Sequence, residues 1–111
     1  MISHVLLAML AGASAPPSNP NVERLALTHC LSAMVKTDLQ AKTAPDAFAT
    51  KANAACMAEE AAFRAKSIAA DRAVGIRAAD AEQNAKSEIT DIRQNALDRY
   101  KDYLESNTLP R

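Results

Sequence analysis

The sequence predicts an all-α protein: a disulfide-stapled antiparallel helical hairpin followed by a third long helix, together a three-helix bundle. Three observations predict it. Apolar residues recur at steps of three and four along most of the chain, which is the mark of one buried helix face. Alanine, the best helix former, is abundant and is densest between Ala44 and Ala85. The only two cysteines, Cys30 and Cys56, lie at matching distances on either side of a turn near Ala44. The competing arrangement is one short helix packed on one long continuous helix.

Residues 1–13 read as a secretory signal peptide, with an apolar run from Val5 to Leu10 followed by small residues. Cleavage after Ala13 is expected over cleavage after Ala15, because the second site would place Pro16 just beyond the bond. The segment carries no Lys or Arg ahead of its apolar run, only the amino terminus and His4. It is too short for a membrane span, which needs roughly 20 apolar residues. Leu10-Ala-Gly-Ala13 resembles a bacterial lipobox with Ala in place of the lipidated Cys, so no lipid anchor is expected. Residues 14–19 form an extended linker, and residues 20–111 form the helical domain. The expected location is therefore periplasmic or secreted, with no stable membrane anchor after signal cleavage.

Asn19 and Pro20 suit a helix cap and a first helical residue, so the first helix is expected from about Pro20 to Lys42. Leu27, Leu31, Met34 and Val35 form its inner face. Pro45 opens the second helix, with residue 44 pushed towards an extended conformation and Asp46 placing a negative charge at the positive helix end. The second helix is expected from about Pro45 to Val74, with Phe48, Ala52, Cys56, Phe63 and Ala70 inward. Glu60 and Arg64 support it as an i,i+4 pair. Gly75, with Arg72 just before it, marks a break. The third helix is expected from about Asp80, where Asp80-Ala-Glu-Gln83 matches a capping box, to Ser106. Its stripe is Ala85, Ile89, Ile92, Ala96, Tyr100, Tyr103 and Leu104, and its outer face carries mixed charges, including Glu82/Lys86 and Lys101/Glu105.

A short turn makes neighbouring helices antiparallel. Each cysteine is about 13 residues from the turn, which puts both sulfurs roughly 20 Å from it. A disulfide between Cys30 and Cys56 follows, since the bond tolerates only about 4.4–6.8 Å between Cα atoms. Two Phe, two Tyr and no Trp leave few large groups for a core. Closing this loop is worth on the order of 3 kcal/mol to a domain of marginal size. Export and the disulfide support each other, because such bonds persist in oxidising compartments.

Thirteen basic and thirteen acidic residues cancel, so no basic excess points to nucleic acid. No Gly-rich phosphate loop, Cys-x-x-Cys or Cys-x-x-Cys-His is present. His29 and Cys30 point about 100° apart on a helix, so they do not make a catalytic pair. Glu59 and Glu60 read as a solvated face. No enzyme and no cofactor are expected. The expected role is a non-enzymatic interaction or structural one, with a protein partner or a homodimer meeting an interface at Tyr100, Tyr103 and Leu104. One alternative is a periplasmic chaperone for unfolded clients. Another is a soft-metal carrier that holds copper through Cys30, Met34 and Cys56, with His29 and Met57 nearby.

Overall fold

The computed structural model describes residues 19–109, and the signal-like segment and most of the linker lie outside them. The described residues form four helices and no strand: α1 (Asn21–Gln40), α2 (Pro45–Ala54), α3 (Met57–Ala73) and α4 (Ala78–Ser106). The helical bundle is as expected, but its second rod is two helices rather than one. Together α2 and α3 run antiparallel to α1, and α4 returns parallel to α1.

Local chemistry accounts for most boundaries. Pro20, rather than Asn19, holds the N-cap position of α1, with the Arg24 N–H on its carbonyl, and the Asn19 Oδ1 accepts from the Asn21 N–H at 3.0 Å in a turn just ahead of the helix. Ala44 is extended (φ −60°, ψ 144°) ahead of Pro45. Gly75 takes φ 87°, with its N–H on the Arg72 carbonyl and the Ile76 N–H on the Asp71 carbonyl. That pair of bonds is a Schellman ending, which needs a left-handed residue and therefore favours glycine. The Gly75 break is present, and the single long helix is not formed. α1 and α4 close the same way with less suitable residues, Lys42 (φ 54°) and Asn107 (φ 51°).

Further expectations about starts and ends are corrected. α4 begins at Ala78 rather than Asp80, and no capping box forms: the Asp80 carboxylate instead meets Arg77 at 3.0 Å. α1 ends at Gln40, with Lys42 serving as the left-handed residue beyond it.

The larger correction is at Ala55–Cys56. Ala55 is extended and Cys56 is left-handed (φ 61°, ψ 34°), which ends α2 and lets α3 restart at Met57. No Gly or Pro marks this point, so the cause is tertiary. Cys56 is bonded to Cys30 (S–S 2.04 Å, Cα–Cα 6.1 Å), and the Arg93 guanidinium reaches the Ala52 carbonyl at the end of α2. That carbonyl would otherwise be an unsatisfied helix end.

The core has two parts. Leu27, Leu31, Phe63, Ile89 and Ala96 fill one, and Val35, Leu39, Phe48, Ala52 and Tyr100 fill the other, with Met34 against both. Phe48 and Tyr100 stack at 3.8 Å between ring centroids. Arg24 bridges rods at the far end, over the Phe63 ring (5.2 Å) and on Glu88 (2.6 Å).

Candidate interaction surface

Because α1 and α4 are parallel, their C-terminal ends lie together. A groove of about 510 Å³ opens there, lined by Leu39, Gln40, Lys42, Tyr103, Leu104, Asn107, Thr108 and Leu109. The two Schellman turns shape its rim. Both helices point the negative ends of their dipoles at this end of the molecule, and neither has a basic residue in its last turn. Tyr103 and Leu104 are half-buried against the Tyr100 cluster and keep the rest of their surface for the groove. Leu109 is 61% exposed.

Tyr100 does not share that role. It is wholly buried, stacks on Phe48, and donates its hydroxyl to the Thr43 carbonyl, with the Asp38 carbonyl at 3.2 Å. Burial pushes its phenol above the usual value, reinforced by the negative charge of Asp38. Its place on the helix stripe made it look like Tyr103. The longer reach of an outward position belongs only to the latter.

Two buried charged groups were not apparent as sites in the sequence. Asp38 accepts from Lys51 Nζ (2.8 Å) and Thr43 Oγ1 (2.7 Å), closing the α1–α2 turn. The Lys51 hydrogen bond holds its carboxyl below the ordinary value against the opposing cost of burial. Arg93 is buried on α4 and donates to Glu60 Oε1 (3.0 Å) as well as to Ala52. Glu60 also meets Arg64 at 3.8 Å, so the expected i,i+4 pair forms, but the reading of Glu60 as solvated is wrong. The signal for Arg93 was present: Ile89, Arg93, Ala96 and Tyr100 share one spacing, so an Arg on an apolar stripe had to find a buried partner.

The Cys30–Cys56 bond is formed, so neither sulfur is available as a thiolate. Cys30, Cys56 and Glu59 bring their side-chain ligand atoms within 4.8 Å, but the two sulfurs are spent on each other. Met34 is half-buried against the core, and His29 is exposed on the opposite side of α1 from Leu27 and Leu31. The copper set thus exists only in a reduced chain. Among the described residues no helix is long and apolar enough to cross a membrane. No protein family, curated protein or solved structure matches this chain.

Proposed function

We propose that this is a small exported helical protein that acts by binding another protein, without catalysing a reaction, and that the groove at the C-terminal ends of α1 and α4 is its contact surface. The observation that carries this reading is the combination in one place of an apolar floor (Leu39, Tyr103, Leu104, Leu109) with two helix C-termini whose last turns carry no basic side chain, Lys42 just beyond α1 being the cation on the groove's rim. A partner segment that suits both has a large apolar side chain beside a Lys, an Arg or a free amino terminus. The buried charges Asp38 and Arg93 and the half-buried Glu60 are all engaged in holding helices together, which favours a structural use for them over acid–base chemistry. Export is supported by the disulfide and by the signal-like start.

The test is site-specific photocrosslinking in the native host. A photoreactive aromatic residue in place of Tyr103 is expected to give one discrete adduct, and the same group at exposed Lys86 is expected to give none. Equal adducts from both positions, or none from Tyr103, would remove the groove as the contact surface. A broad ladder of adducts from Tyr103 would instead favour the chaperone reading.

A further inference from the structure

The break between α2 and α3 has no cause in its own sequence. Residues 52–60 read Ala-Asn-Ala-Ala-Cys-Met-Ala-Glu-Glu, with no Gly or Pro and with mostly strong helix formers. Yet Cys56 holds a left-handed backbone (φ 61°) that side chains other than glycine disfavour, and Ala55 is extended. A continuous helix would place the N–H of Cys56 on the Ala52 carbonyl and those of the next three residues on the carbonyls of Asn53, Ala54 and Ala55. Instead α3 makes its first such bond only from Glu60 to the Cys56 carbonyl, at 2.9 Å.

Two tertiary ties oppose the local preference. One is covalent, from Cys56 to Cys30 in the middle of α1. The other is Arg93, which occupies the Ala52 carbonyl on one side of the break and Glu60 on the other. The disulfide is half-buried beside a shallow groove lined by Ala33, Met34, Ala54 and Ala55, so one edge of it faces solvent.

We propose that the disulfide is a redox-operated latch on this break, and that reduction lets residues 53–58 join α2 and α3 into one helix. The reductant is a dithiol. Thiol–disulfide exchange breaks the Cys30–Cys56 bond, two electrons and two protons leave the dithiol as it closes to its own disulfide, and both cysteines become thiols. Cys56 is then free to leave the left-handed conformation. Straightening the rod swings α2 away from α4, which draws Phe48 off Tyr100 and uncovers Val35 and Leu39. Arg93 and the Phe48–Tyr100 stack oppose that swing. Arg93 therefore sets how far the reduced chain goes towards the joined helix.

Amide hydrogen exchange on the full chain, oxidised and in excess dithiol, tests this. Loss of a disulfide lowers overall protection, so most amides are expected to exchange faster when reduced. The amides of Cys56, Met57, Ala58 and Glu59 are expected to move the opposite way and slow by about tenfold. A Cys30→Ala/Cys56→Ala chain is expected to match the reduced one, and adding Arg93→Met is expected to slow these four amides further. If they exchange as fast or faster on reduction while the rest stays helical, the latch does not exist. Complete unfolding on reduction would also overturn it, because the bond would then hold the fold and not the break.

Discussion

Asp38 shows how one side chain ties a turn to the pH response of the whole. Its carboxylate is almost wholly buried and is held by Lys51 and Thr43, and the Lys51 bond keeps its folded-state value below that of the unfolded chain. A depressed carboxyl contributes stability that is complete above its unfolded value, about 3.9. That stability is lost as pH falls from there through the folded value. Asp38→Asn is therefore expected to lower stability by about 1–2 kcal/mol at pH 7, discounted for the exposed Lys51 partner. It is also expected to flatten the loss of stability below about pH 4. Chemical denaturation across pH checks both, and an unchanged acid limb would show that Asp38 is not the titrating group. This residue was not legible beforehand. Asp38 looks like any charge near a helix end until Lys51, thirteen positions on, folds back over it. The cysteines were legible because their pairing depends only on counting rises from a proline-marked turn.

At the scale of elements, the boundaries set by local chemistry were readable and the one set by tertiary contacts was not. Pro45 and Gly75 act through their own backbone limits, so the sequence alone places them. The Ala55–Cys56 break lies in residues that prefer helix, and it is held by a bond to α1 and a guanidinium from α4. The three Schellman endings give a direct test of this distinction. Gly75 suits its left-handed position, whereas Lys42 at φ 54° does not. Lys42→Gly is expected to raise stability by about 0.5–1 kcal/mol, the left-handed penalty less the extra unfolded-state entropy of glycine. Gly75→Ala, where a Cβ would meet nothing within 4 Å, is expected to lower it through backbone conformation alone. Thermal unfolding of the two variants should shift in opposite directions. Shifts of the same sign would mean that side-chain contacts govern these ends.

For the whole molecule, the arrangement of rods follows from short turns and from one staple. Parallel α1 and α4 are a consequence of two reversals, and they bring Leu39 beside Tyr103 and Leu104, which the α4 stripe had marked as an interface; only the Leu39 side of the groove had no local signal. The proposal of export to an oxidising compartment rests on the bonded Cys30–Cys56 pair and the signal-like start. It is tested most directly by the intact mass of the protein isolated from its own host, alkylated with and without prior reduction. The expected species starts near Ser14 and takes up two alkyl groups only after reduction. A chain that starts at Met1 and is alkylated at Cys30 and Cys56 without reduction would contradict export and the staple together.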